Sequence, residues 1–374
     1  MSGDRYDVVV AGGGPAGSIA AFALVRGGHR VLLADAGTGP AKVGECLVSV
    51  AALLLEDLGI HDQILGSGHL PSYGTLSSWG GPDLRTVDSL HDPYGHGWHL
   101  DRALFDHRLR AAAQAVGAEL AEHTAVRAPL RAPEGWHIQL RGPTSVRAVR
   151  TTWLVDATGR TAALAIRLGA RRLTNDRLLA THLTLGPASG VPDTRSLVEA
   201  APDGWWYSTL VPSRHRMVVF FTDADLPGAQ PGTAATFHRR ALRTVHVSAR
   251  AHGHELLADS APQRAPAYGA RLDRLYGEGW IAVGDAAAAF DPLSSQGILI
   301  ALVTGLNAAR ALIARMRGDM TALDSYEHRV HAAYAEYRRN HQFIHRQETR
   351  WNNHPFWSRR FTDPTPPHAW SRSG

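Results

Sequence analysis

A glycine-rich turn set between an apolar strand and a helix constrains this chain more than any other feature. Tyr6-Asp-Val-Val-Val-Ala11 is a β-branched run without alternation, the pattern of a strand buried on both faces. It enters Gly12-Gly13-Gly14-Pro15-Ala16-Gly17, followed by a helical stretch from Ser18 to Arg26. Gly27-Gly28 stops that helix, and Arg30-Val-Leu-Leu-Ala-Asp35 reads as the next strand. The whole is one βαβ unit of about thirty residues. Gly12 allows a tight turn, Gly14 lets backbone approach a pyrophosphate, and Gly17 permits close helix–strand packing. Pro15 and Ala16 open the helix, whose free N–H groups and positive dipole end suit a phosphate. Asp35 is placed to accept from adenosine ribose hydroxyls and disfavours a 2′-phosphate. A dinucleotide is therefore expected.

Its identity is read further along. Trp153-Leu-Val-Asp156-Ala-Thr-Gly159-Arg160 is a buried strand ending in a small-residue turn, and Gly279-Trp-Ile-Ala-Val-Gly284-Asp285 is another. Asp291-Pro292-Leu-Ser294-Ser-Gln296-Gly297-Ile298 then leads into a long helix ending at Met316. An aspartate after a strand can take ribityl hydroxyls. A Pro-then-Gly turn at a helix start can aim N–H groups at the electron-rich edge of an isoalloxazine. Nicotinamide enzymes do not need this second half of a site; FAD, held at both ends, does.

These segments resemble the FAD signatures of flavin monooxygenases and flavin-dependent halogenases. The resemblance implies an α/β fold of the hydroxybenzoate-hydroxylase type: a discontinuous Rossmann-like FAD domain, an inserted β-sheet substrate domain and a helical C-terminal tail. His99-Leu-Asp101-Arg102 resembles the family's arginine-bearing helix start, which implies that Arg102 contacts the cofactor. Lys42-Val-Gly44-Glu45-Cys46-Leu47, Gly97-Trp98, Gly204-Trp205-Trp206-Tyr207 and Arg350-Trp351…Pro355-Phe356-Trp357 resemble one branch in particular. That branch holds the tryptophan-halogenase-like flavoproteins of quinone-cofactor maturation, and it implies oxygenation of a tryptophan ring within a partner polypeptide. It also implies FAD contacts for Lys42 and Glu45. Fold transfers along such a resemblance better than substrate does.

The boundaries expected are 1–70, 97–173 and 269–324 for the FAD domain, 71–96 for a substrate-side segment, 174–268 for the substrate domain and 325–374 for the tail. Within the insert, Leu179–Leu185, Gly204–Val211 and Arg216–Thr222 read as strands. Alternation puts Trp205, Tyr207, Thr209 and Val211 on one strand face and Trp206, Ser208 and Leu210 on the other. The resemblance turns the Tyr207 face to substrate, and core packing is the competing reading. Trp79, Tyr207, Thr209 and Ser294 are the candidate substrate contacts.

Halogenases of this superfamily carry a lysine in the first substrate-side segment, and Ser49–His99 contains none. Tryptophan halogenases also place a glutamate where Ser294 follows Pro292-Leu293, and their Trp-x-Trp-x-Ile-Pro block falls on Tyr207-Ser-Thr-Leu-Val-Pro212. Oxygenation needs less. Reduced flavin and dioxygen form a C4a-hydroperoxide whose distal oxygen attacks an electron-rich ring held in a dry pocket. The expected function is therefore hydroxylation of an indole or tryptophan-like ring, free, in a peptide or carrier-bound. The alternatives are a halogenase of non-tryptophan type, a flavin reductase or dehydrogenase, and a non-catalytic peptide-binding flavoprotein. Asp156-Ala-Thr-Gly159 lacks the Asp-Gly pair of enzymes that take NAD(P)H directly, which favours reduced flavin from a separate reductase over NAD(P)H.

The formal charge of +5 rests on 39 basic residues, of which Lys42 is the single lysine, against 34 acidic ones. The arginines are dispersed, not striped, so no nucleic-acid partner is expected. One cysteine excludes a disulfide framework or thiolate cluster. Gly297–Met316, the most apolar stretch, is interrupted by Thr304, Asn307 and Arg310, so no membrane span is expected. No signal sequence is legible at the N-terminus, and a cytoplasmic location is expected. The 21 histidines form no metal motif. His91, His96 or His99 could supply a general base from their loop. Cys46, where the branch has serine, reads as a small buried residue or as a reactive thiol. Trp351, Phe356, Trp357, Phe361 and Trp370 in the tail either pack on the FAD domain or form a rim for a polypeptide or carrier.

Overall fold

The computed structural model describes residues 5–38, 46–188 and 193–361. These divide into two compact units. The first comprises 1–73, 89–176 and 268–335, and the second 74–88, 177–267 and 336–374.

The first unit is built on a sheet whose parallel core has the order Tyr276–Gly277, Trp280–Ala282, Val146–Asp156, Arg5–Ala11, Val31–Ala34, Glu119–Ala121, only the first of these strands being antiparallel to its neighbour. Val8, Val9, Val10 and Leu32 to Ala34 are essentially inaccessible to solvent, as continuous apolar strands demand. The meander Ala125–Ala132, Gly135–Arg141 pairs antiparallel with the first half of Val146–Asp156, while its second half pairs with Arg5–Ala11.

Two helices pack on this sheet at unusually short range. Pro15–Arg26 lies against Gly297–Met316, and the contact is made by backbone. A Cβ added at Gly305 would stand 2.2 Å from the Ala16 carbonyl oxygen, and one at Gly284 2.7 Å from the Ala16 Cβ. Gly17 closes on the Gly12 carbonyl in the same way, at 1.9 Å. Gly297–Met316 is long and apolar enough by composition to cross a membrane, and half of that window is buried inside the protein.

The second unit is a seven-stranded sheet in the order Gln263–Pro266, Leu178–Pro187, His215–Asp223, Gly204–Leu210, Ser196–Ala201, Gly74–Ser78, Arg85–Asp88. One face is closed by Ala234–Ala241 and His246–Ala251. Trp206, Phe220, Leu183, Leu185, Leu197 and Val218 pack there against Phe237 and Val247. Glu199 accepts the backbone N–H groups of Val245, His246 and Val247 at 2.7–3.0 Å, tying the second of these helices to the sheet.

The expected segment 71–96 is divided between the units. Gly74–Ser78 pairs in parallel with Ser196–Ala201 and so belongs to the second, while 71–73 and 89–96 belong to the first. The tail divides too. Ala322–Arg346 is one helix. Tyr326 donates to the Ala282 carbonyl in the first unit, whereas residues from 336 onward belong to the second. Phe356 and Trp357 are fully buried, and Trp357 Nε1 donates to the Ala201 carbonyl at 2.8 Å. The tail aromatics thus complete the core of the second unit instead of packing on the FAD-type domain; Trp370 lies outside the described residues. Arg359 and Arg360 both pair with Asp223, at 3.1 and 2.8 Å.

Gly305→Ala forces two backbones apart. It should lower unfolding stability by about 1–3 kcal/mol, read as a lower denaturant midpoint, whereas Gly81→Ala, beside open space and without a left-handed φ, should cost less.

Candidate functional site

The glycine turn of the first unit has the geometry its sequence requires. Gly12 sits at φ +112°, and a Cβ there would collide with the Ala157 carbonyl oxygen at 2.2 Å. Gly14 caps Pro15–Arg26 without any side-chain cap, and no acid stands in the first turn. The N–H groups of that turn and the positive end of the helix are left for an anion. Asp35 follows the second strand, with its carboxylate 3.5 Å from Arg110 Nη1. Arg110 also donates to the Gly13 carbonyl at 3.3 Å and reaches Glu122 at 3.3 Å. It fixes the mouth of the turn, and the sequence reading missed it. It lies far down the helix Arg102–Ala115, and nothing local marks which way it points.

Arg102 opens that helix behind Asp101, which accepts the Leu104 N–H at 3.0 Å. Its Nε and Nη2 grip Asp106 at 3.1–3.2 Å, so a buried ion pair sets the guanidinium's orientation.

The second half of the site contains a correction. Asp156, expected to touch the cofactor, is 1% exposed, and both its oxygens are engaged. Oδ1 accepts from Thr158 N and Oγ1 at 3.0 and 2.6 Å, and Oδ2 from Leu164 and Ala165 N–H at 3.0 and 2.7 Å. It holds the turn and leaves ligand contact to others. Gly159, at φ +66°, has nothing within 4 Å of an added Cβ. Arg160 donates to the carbonyls of Tyr268 and Phe290 at 2.7 and 2.9 Å and lies 3.5 Å from the Asp285 carboxylate. Asp285 stays part exposed and able to accept from a polyol chain. Gly284, at φ +58°, receives its own anchor from the Thr304 hydroxyl, 3.0 Å from its N–H.

Pro292–Ser294 forms one 3-10 turn, Ser295 adopts φ +53°, and Gln296 precedes Gly297–Met316 without a side-chain cap. Pro292, Gln296 and Gly297 are exposed, Ile298 is buried, and open space stands beside Gly297. Two uncapped helix starts, two glycines facing open space and two aspartates with accessible oxygen make a donor and acceptor set that fits a flavin dinucleotide. Lys42 and Glu45 lie outside the described residues.

Of the candidate substrate contacts in the second unit, Tyr207 alone keeps exposed surface. Its hydroxyl is 3.1 Å from Ser196 Oγ. Thr209 is fully buried, with its hydroxyl donating to the Leu210 carbonyl at 3.3 Å. Trp79 is a core residue: its indole N–H donates to the Ile344 carbonyl at 2.8 Å, and its ring meets Trp205, Trp357 and His345 edge-on. In the first unit, Ser294 Oγ is enclosed and without a hydrogen-bond partner, so it is not presented to a ligand. Two of the three loop histidines are also committed: His99 is buried, and His96 bonds the Gly97 carbonyl and meets Trp98 and Tyr73 edge-on, whereas His91 is exposed. Among the described residues no cluster could hold a metal ion.

Cys46 is half-buried, and burial pushes its thiol up to about 11, which favours a protonated, unreactive thiol at neutral pH.

This architecture and site define a flavin-dependent redox protein. The family model described as FAD binding domain matches residues 5–340; the chain belongs to that family, within the FAD monooxygenase and halogenase superfamily. It is 28% identical over 371 residues to the putative FAD-dependent oxidoreductase LodB of Marinomonas mediterranea, covering 98% of this chain and all of that one. It is 25% identical to the flavin-dependent halogenase armH4 of Armillaria mellea, covering 88% of this chain and 70% of the other. Among solved structures, the peptidyl tryptophan dihydroxylase QhpG superposes with a TM-score of 0.80 at 26% identity, over 97% of this chain and 81% of that one. The myxobacterial chondrochloren halogenase CndH shares the fold, with a TM-score of 0.82 at 23% identity over 96% and 86%.

Asp35→Ala should weaken FAD binding about 10- to 100-fold, the effect of a lost charged hydrogen bond, measured by flavin fluorescence titration. Iodoacetamide should alkylate Cys46 very slowly at pH 8 and about tenfold faster per pH unit up to about 11; rapid labelling at pH 7 would contradict the burial.

Proposed function

We infer that the protein is an FAD-dependent monooxygenase that hydroxylates an electron-rich aromatic ring of the indole or tryptophan type. The observation that carries this reading is the absence of any lysine from Ser49 to His99 in a chain that resembles QhpG over nearly its whole length. A hypohalite relay needs that amine; direct oxygen transfer does not.

Reduced FAD supplies the electrons that turn dioxygen into an electrophile. The chain's own work is positional. Asp35, set by Arg110, would hold the adenosine end, the first turn of Pro15–Arg26 would take the pyrophosphate, and Asp285 would accept from ribityl hydroxyls. The uncapped first N–H groups of Gly297–Met316 would stabilise the ring edge that becomes electron-rich on reduction. In the second unit, Tyr207, which keeps exposed surface, would orient a polar edge of the ring, with its hydroxyl set by Ser196. The substrate is an aromatic small molecule or an aromatic residue of a peptide. Reducing equivalents come from a separate flavin reductase in preference to NAD(P)H bound by the chain itself.

Halogenation is the second reading, supported by the likeness to armH4. One experiment separates the two. The FAD-loaded protein is reduced anaerobically and mixed with oxygenated buffer containing indole, N-acetyltryptophanamide or a tryptophan peptide, with and without bromide. A product heavier by one or two oxygen atoms, unaffected by bromide, is expected. A bromide-dependent brominated product would replace this reading with the second. Stoichiometric peroxide and no product from any ring would remove it.

A further inference from the structure

A three-stranded sheet in the first unit brings a guanidinium behind the Asp285 turn. Arg172–Thr174 pairs antiparallel with Ala270–Leu272, which pairs in turn with Ala288–Ala289. That last strand begins two residues after the turn Gly284–Ala286. Asp273 holds the entry to the first strand, accepting from the Arg171 backbone N–H and Nε at 2.8 and 2.9 Å. The next residue, Arg172, turns inward, and its Nη2 donates to the Asp285 carbonyl at 2.7 Å.

The rest of that guanidinium has no partner. Nε and Nη1 are sealed from solvent and make no hydrogen bond. Among the described residues no carboxylate forms an ion pair with Arg172; the Asp285 carboxylate lies beside Arg160 instead. Burial is the largest influence on the Arg172 pKa and lowers it, Tyr268, Asp285 and Asp156 favour the cation from longer range, and Arg160 opposes them. A guanidinium nonetheless keeps its charge at physiological pH. Two enclosed donors and a charge taken out of water without a counter-ion weaken a fold. An apolar side chain of similar length would avoid that cost. The feature has a use if the charge acts on something the chain binds, since solvent does not screen it there.

We propose that Arg172, through its bond to the Asp285 turn, places an unscreened positive charge at the ribityl end of the FAD site and so raises the affinity for reduced FAD relative to oxidised FAD. The inference rests on Asp285 as the ribityl acceptor. It does not depend on which reaction is catalysed, because oxygenation and halogenation draw on the same reduced flavin. Two electrons and one proton leave the flavin with one more negative charge, carried by the ring to which the ribityl chain is joined. A fixed cation on that side of the site stabilises this form more than the neutral ring. Arg172 acts here as a positioning residue of the site, not as a group that meets substrate.

Arg172→Met removes the charge at similar side-chain length, and Arg172→Lys keeps it. Affinity for oxidised FAD is measured by fluorescence titration of the apoprotein. The midpoint potential of the FAD-loaded protein is measured by anaerobic reduction against a reference dye. In Arg172→Met the affinity for reduced relative to oxidised FAD should fall about tenfold, which lowers the potential by about 30 mV for a two-electron couple. Arg172→Lys should stay within twofold of the wild-type ratio. The denaturant midpoint of the Arg172→Met apoprotein should not fall, because the charge removed had no counter-ion. Arg172→Gln should repeat the loss of potential, and it carries the test if Arg172→Met does not fold. A wild-type ratio in both uncharged variants, or an equal loss in Arg172→Lys, overturns the proposal. Asp285→Ala tests the assignment beneath it and should weaken oxidised FAD about tenfold. Unchanged affinity there removes the ribityl assignment and the proposal with it. Weakened affinity there, beside a wild-type potential in Arg172→Met, removes the proposal alone.

Discussion

The first unit depends on the approach of two helices to within backbone contact. Ala16 sits at the centre of it, with Gly284 against its Cβ and Gly305 against its carbonyl. A Cβ on either glycine would push Pro15–Arg26 away from Gly297–Met316. Both helices begin without side-chain caps, so each brings an uncompensated positive end to the ligand side. The glycines therefore fix the placement of the two dipoles that a flavin dinucleotide needs. Tight packing and cofactor chemistry are one constraint here, since the spacing of the electropositive ends is set by residues that touch no ligand.

Around that contact the polar groups divide into those that hold backbone and those left for a ligand. Asp156 and Arg160 are of the first kind. Asp156 turns all its acceptor capacity inward, and Arg160 spans from the Gly159 turn to Tyr268, Phe290 and Asp285. Asp35 and Asp285 are of the second, each carboxylate with one arginine 3.5 Å away and part of its surface exposed. An arginine at 3.5 Å orients such a carboxylate without consuming it, which suits an acceptor of ribose or ribityl hydroxyls.

The fold was legible because its signals are local. The strand–glycine–helix order, the second strand–Asp turn and the uninterrupted apolar helix each lie within a few residues. The three strands expected in the insert are present, with ends moved by one or two positions. What sequence could not supply was register and side-chain direction. Trp79 reads as a pocket aromatic until its partners, Trp205, Trp357 and the Ile344 carbonyl, are brought from far along the chain. Asp156 reads as a ligand because its motif does, although the donors that saturate it lie eight and nine residues on.

The second unit is assembled from three separate stretches of chain, and its core is closed by the last of them. Gly80 N–H bonds the Glu348 carboxylate, and Trp79 bonds Ile344 across 265 positions. The ordering entropy of such distant partners is met before their contacts form. The core of this unit therefore stays open until the chain has been made as far as Phe361, although its last strand ends at Pro266. This unit cannot be cut out as a contiguous fragment, and a nascent chain lacking the Pro355–Phe361 helix carries an open tryptophan cluster and an unneutralised Asp223. Late completion makes folding of this half the step most exposed to aggregation during synthesis.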